Sequence, residues 1–169
     1  MSQLQKKIER LARQDGPRLG FGPVQREKPR AMLLAVIASS GKEAKAALKD
    51  GADFVVVRAA TVKDAAKVVK DVDGDGCVGA LVSSLDEAGA TALRDAGSDF
   101  AIAVLEKTAA AAVDSEKMGH VVEIPVSSDE PTLRGLAPLS FDALYVGDAP
   151  GALTLAGRLD FVRAATMTG

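Results

Sequence analysis

One spacing constrains this chain more than any other property: the pairs Ser39-Ser40, Ser83-Ser84 and Ser127-Ser128 recur every 44 residues. Each pair closes an apolar run: Met32 to Ala38, Val78 to Val82, and Val121 to Val126. Ser40 stands three residues before Glu43, Ser84 three before Glu87, and Ser127 three before Glu130. A serine at a helix start accepts one unpaired backbone amide, and a glutamate three positions on serves another. Each pair therefore predicts a strand, a capping box and a helix.

A second signature alternates with the first. Gly51-Ala52-Asp53-Phe54, Gly97-Ser98-Asp99-Phe100 and Phe141-Asp142-Ala143 open strands of their own. The repeat is thus a two-strand βαβα unit, present three times. The predicted strands are Ala31–Ala38, Asp53–Arg58, Cys77–Val82, Asp99–Leu105, Val121–Val126 and Asp142–Gly147. Between them run helices at Gly41–Asp50, Val62–Val72, Leu85–Ala96, Ala109–Met118 and Pro131–Leu136. A last helix carries Leu155, Leu159 and Val162 on one face, and a first one, Ser2–Gln14, carries Leu4, Ile8 and Leu11. Strand-length apolar runs between amphipathic helices make a parallel sheet. Four such units close an eight-stranded TIM barrel. Three give an incomplete barrel of about six βα units behind an N-terminal helix; the alternative is an open doubly wound sheet. The expected division is a helix and connecting loop over residues 1–30 and the partial barrel over residues 31–169.

Those strand openings resemble the aldolase-type TIM-barrel superfamily, which includes deoxyribose-phosphate aldolases and the flavin-binding nitronate monooxygenase and inosine-monophosphate dehydrogenase groups. The resemblance spans residues 31–165 as a pattern of fold. It implies a site at the C-terminal ends of the strands, lyase, isomerase or flavin oxidoreductase chemistry, and FMN or no cofactor. The aldolase Schiff-base lysine would fall at Val56, Ile102 or Tyr145, so this chain lacks it. The family's phosphate cradle uses loops after strands 7 and 8, beyond the six that the repeat supplies.

The polar residues at that end are Ser39, Ser40, Lys42, Arg58, Ser83, Ser84, Glu106, Lys107, Ser127, Ser128 and Asp148. Arg58 suits a carboxylate or phosphate through its planar fork of donors. Glu106, Lys107 and Asp148 are the candidates for moving a proton. The serine pairs either cradle an anion with helix N-termini or simply cap helices, and Arg58 and Glu106 either bind ligand or pair with each other. Glu123, within an apolar strand, is either paired inside or set on an open edge. His120 precedes that strand at the far end and is expected to be structural. Asp71, Asp73 and Asp75 match half a calcium loop, but the twelfth position is Val82 rather than a bidentate glutamate.

Function classes narrow from composition. Aromatic residues are 4% of the chain, too few for base-stacking surfaces, and the formal net charge of −2 offers no basic field for nucleic acid or membrane. One cysteine excludes an internal disulfide and fits a reducing, cytoplasmic setting. The stretch from Gly16 to Arg30, with Arg18, Arg26, Lys28 and Arg30, is either an anion-handling lid or a solvated connector. Two readings follow: an enzyme acting on a small anionic molecule, or a non-catalytic partial barrel binding a ligand or a partner chain. Open edges on the first and sixth strands predict a homo-oligomer or a fragment of a longer chain.

Overall fold

The computed structural model describes residues 2–14, 32–72, 76–113, 118–125, 127–139, 141–147 and 154–168. Six strands form one parallel sheet in sequence order: β1 (Ala35–Ala38), β2 (Phe54–Ala59), β3 (Cys77–Val82), β4 (Phe100–Val104), β5 (Gly119–Pro125) and β6 (Ala143–Gly147). The helices are α1 (Gln3–Gln14), α2 (Gly41–Lys49), α3 (Val62–Val72), α4 (Glu87–Asp95), α5 (Glu130–Leu136) and α6 (Leu155–Thr168). A doubly wound sheet reverses its strand order at a switch point. This one never reverses, which removes that alternative.

Alternation along the strands sorts the core into two faces. Val55, Val57, Val78, Ala80, Val82 and Ala101 pack outward against Ala44, Ala65, Val69 and Leu93 of the helices. Val56, Cys77, Leu81, Phe100, Ile102 and Val121 pack inward, where Leu4 and Ile8 of α1 close over them. Under β5 and β6 the outer layer is Val122, Ile124, Leu133, Leu136 and Ala164. One helix therefore plugs the concave face while the rest clothe the convex one.

The aspartates that open alternate strands explain their own recurrence. Asp53 Oδ2 accepts from the Leu34 amide at 2.8 Å, and Asp142 Oδ2 accepts from the His120 amide at 2.8 Å. Each ties the start of an even strand to the odd strand before it. Asp99 serves α1 instead: its carboxylate takes the Gln3 and Leu4 amides at 2.7 and 2.8 Å and the Cys77 thiol at 3.2 Å. Gln5 Nε2 also reaches Asp142. Before two of these strands, Gly51 (φ 101°) and Gly97 (φ 94°) end α2 and α4 in the left-handed region, where a side chain would be strained.

The helix starts depart from expectation at two of the three serine pairs. Ser40 caps α2 as predicted: its Oγ accepts from the Glu43 amide at 3.3 Å, and Glu43 accepts from the Ser39 amide at 2.9 Å. At the second pair Leu85 is drawn into an extended bridge with Thr108, which delays the turn. Asp86 then caps α4, accepting from Gly89 at 2.7 Å. At the third, Ser128 Oγ turns back to donate to the Pro125 carbonyl at 2.7 Å, and Asp129 caps α5. Asp86→Ala should cost about 1 kcal/mol. Ser84→Ala should stay within about 0.5 kcal/mol of the parent, as exposed substitutions do. Urea denaturation of both variants checks this, and equal losses would restore the serine as the cap.

A further expectation fails. The helix predicted over Ala109–Met118 is, among the described residues, a single 3-10 turn at Ala110–Ala112. Beside it lies an apolar groove of about 650 Å³ whose lining includes Leu105, Val122, Leu139 and Phe141. On α6 the apolar stripe expected on one face is turned outward, with Leu155, Leu159 and Val162 exposed at 87%, 65% and 56%. Ala164 and Met167 pack inward in its place.

Candidate functional site

Register fixes which side chains share the concave face. Leu81, Ile102, Val121 and Ala143 form one row across β3 to β6, and Val104, Glu123 and Tyr145 form the next row toward the C-terminal ends. Arg58 pairs in register with Leu81 and belongs to the same face. Its Nη2 donates to the Tyr145 hydroxyl at 3.3 Å. In a flat sheet β2 and β6 would lie about 19 Å apart at the usual strand spacing. Curling of the sheet brings these two side chains together across the mouth.

The arginine makes no ion pair among the described residues, so the expected pairing with Glu106 is replaced by the contact to Tyr145. Glu106 and Lys107 stand exposed in the turn after β4, where the Lys107 carbonyl accepts from Leu85 at 3.2 Å. Ser39, Ser83, Ser84 and Ser127 are exposed, while Ser40 and Ser128 are half-buried and engaged as given above. Asp148 lies outside the described residues, as do Asp73, Asp75 and the Gly16–Arg30 stretch. No group of metal-binding side chains occurs among the described residues. His120 is buried at the opposite end of β5.

Glu123 falls on the concave face rather than at an edge. Its carboxylate lies over Gly147, where an added Cβ would sit 2.6 Å from Oε1. A glycine on β6 thus leaves the berth that this side chain occupies. The residue is half-buried and makes no hydrogen bond or ion pair among the described residues. Its partner in register is Tyr145, which the sequence marked only as a position lacking a lysine.

No family model matches the chain, and neither does any curated protein. Solved structures do. The open form of tryptophan synthase from M. tuberculosis with BRD0059 bound superposes with a TM-score of 0.70 at 13% identity, covering 99% of this chain and 77% of that one. A ligand-free form of a TrpA mutant of the same enzyme gives 0.68 at 13% identity over 99% and 77%. The aminoacrylate-bound form gives 0.59 at 14% identity over 80% and 70%.

The fold is an incomplete TIM barrel.

In a TIM barrel chemistry sits at the C-terminal ends of the strands. That is the end where Arg58, Tyr145 and Glu123 converge, whereas the aspartate ties and α1 hold the other end. The described strands number six. No helix among the described residues is long and apolar enough to cross a membrane.

Proposed function

We propose that this partial barrel binds a small anionic molecule, bearing a phosphate or a carboxylate, at its C-terminal mouth, with Arg58 as the anchor. The observation that carries the reading is the Arg58–Tyr145 contact. A neutral hydroxyl holds the guanidinium in place without cancelling its charge. An arginine so placed keeps donors free for a bidentate grip on a planar or tetrahedral anion. Lyase or isomerase chemistry suits such a mouth, since an anchored anion beside a carboxylate is what proton transfer on an anionic substrate requires. Glu106 and Lys107, exposed in the turn after β4, are the proton carriers that the sequence nominates. A purely binding module is the second reading, favoured by the apolar layer that fills the concave face.

Titration calorimetry with inorganic phosphate and with propionate tests the anchor. Arg58→Ala should weaken binding at least tenfold, and Tyr145→Phe by a few-fold through loss of the orienting contact. Binding unchanged in Arg58→Ala, or no binding of either anion by the parent protein, would sink the reading.

A further inference from the structure

The geometry points to a second pole in this site: Glu123 selects a ligand that carries a hydrogen-bond donor, an ammonium or a hydroxyl, a few ångströms from its anionic group. This rests on the Arg58 reading and adds the chemical class of the ligand. Three observations meet here. Glu123 and Tyr145 are register partners on adjacent strands, on the face that Arg58 shares. The Arg58 guanidinium reaches the hydroxyl of that same tyrosine at 3.3 Å. The Glu123 carboxylate rests over Gly147, and no described residue donates to it.

A half-buried carboxylate without a donor loses hydration and gains nothing in return unless something arrives to use it. A plain anion held by Arg58 would meet that carboxylate as a like charge. A molecule with an anion at one end and a donor at the other satisfies both poles, and Tyr145 between them can donate or accept. Small amino acids and hydroxy acids have that form. The bland account is a carboxylate solvated by the open mouth, and it predicts no preference between such a ligand and a simple acid.

Calorimetry on the full chain with three probes separates the outcomes: inorganic phosphate, propionate, and β-alanine, which adds an ammonium to the propionate frame. The parent protein should bind β-alanine at least tenfold more tightly than propionate. Glu123→Gln keeps the shape of the side chain, and its circular dichroism and melting should match the parent. In that variant the preference should vanish, with propionate bound as well as before or better. Arg58→Ala should weaken all three probes. Equal binding of propionate and β-alanine by the parent, or a preference that survives Glu123→Gln, overturns the inference and leaves the anchor standing. Failure of every probe, phosphate included, overturns both.

Discussion

Phe100→Ala should cost roughly 3–5 kcal/mol, the usual loss when a buried aromatic is truncated in a packed core. Phe100 is buried on the concave face among Val56, Leu81, Ile102, Val121 and Leu4 of α1. Its ring meets Phe54 edge to face with centroids 5.7 Å apart, and it lies directly over Gly79. A Cβ at position 79 would come within 2.2 Å of two ring carbons, so this aromatic fits only because β3 carries a glycine there. Gly79→Ala should therefore destabilise as well, by about 1–3 kcal/mol through overpacking. The double variant is the sharper test. With the ring gone the added methyl has room, so the two losses should fall short of adding. Strict additivity in urea denaturation, or a loss below about 1 kcal/mol for Phe100→Ala, would show that the concave layer does not depend on this ring. For a domain of ordinary stability, about 5–15 kcal/mol, the expected loss is a large share of the whole.

The strands were legible because most of them are buried on both faces, which forces near-continuous Val, Ala, Leu and Ile runs that polar turns interrupt. The 44-residue period was legible for a related reason. The units answer the same demands in part: Gly51 and Gly97 end helices in the left-handed region, and Asp53 and Asp142 tie an even strand to the odd strand before it. Helix starts were less so. A serine three residues before a glutamate is a local signal, and at Ser84 a long-range bridge from Leu85 to Thr108 outweighed it. Ser2 and Gln5 form a reciprocal cap at the start of α1 with no glutamate in it, Ser2 Oγ accepting from the Gln5 amide at 3.1 Å and Gln5 Oε1 accepting from the Ser2 amide at 3.0 Å. On α6, Leu155, Leu159 and Val162 sit at helical spacing, yet period alone does not say which of two apolar faces meets the sheet. The mouth was hardest to read. Arg58 and Tyr145 are 87 residues apart in sequence, and only the curl of the sheet makes them neighbours. Glu123 was visible as a carboxylate in an apolar strand, but its face depended on register, which no local pattern fixes.

Asp99→Ala should release the plug at the other end of the barrel and expose the single cysteine. The Asp99 carboxylate accepts the first two amides of α1, from Gln3 and Leu4, and the Cys77 thiol. Without it the helix start loses an acceptor that water replaces only on the exposed Gln3 side, a loss of about 1–3 kcal/mol. Cys77 is the reporter. Burial pushes its thiol well above the ordinary range, and the hydrogen bond to Asp99 and that residue's charge push it further, while Lys7 pulls weakly the other way. The thiolate is the reactive form, so the native cysteine should resist iodoacetamide. Asp99→Ala removes two of the three raising causes and loosens α1 above the thiol, so alkylation at pH 8 should speed up at least tenfold. The alkaline limb of stability should change too. The unfolded thiol ionises near its usual value of about 8.5 while the folded one stays protonated, so the parent loses stability as pH rises past that point. Asp99→Ala lowers the folded value and should flatten that loss. Asp99→Asn, which keeps one acceptor oxygen and drops the charge, should fall between parent and alanine on both readouts. If Asp99→Ala keeps parental stability and Cys77 stays inert, α1 is held by Leu4, Ile8 and the Gln5–Asp142 contact, and the Asp99 carboxylate is incidental.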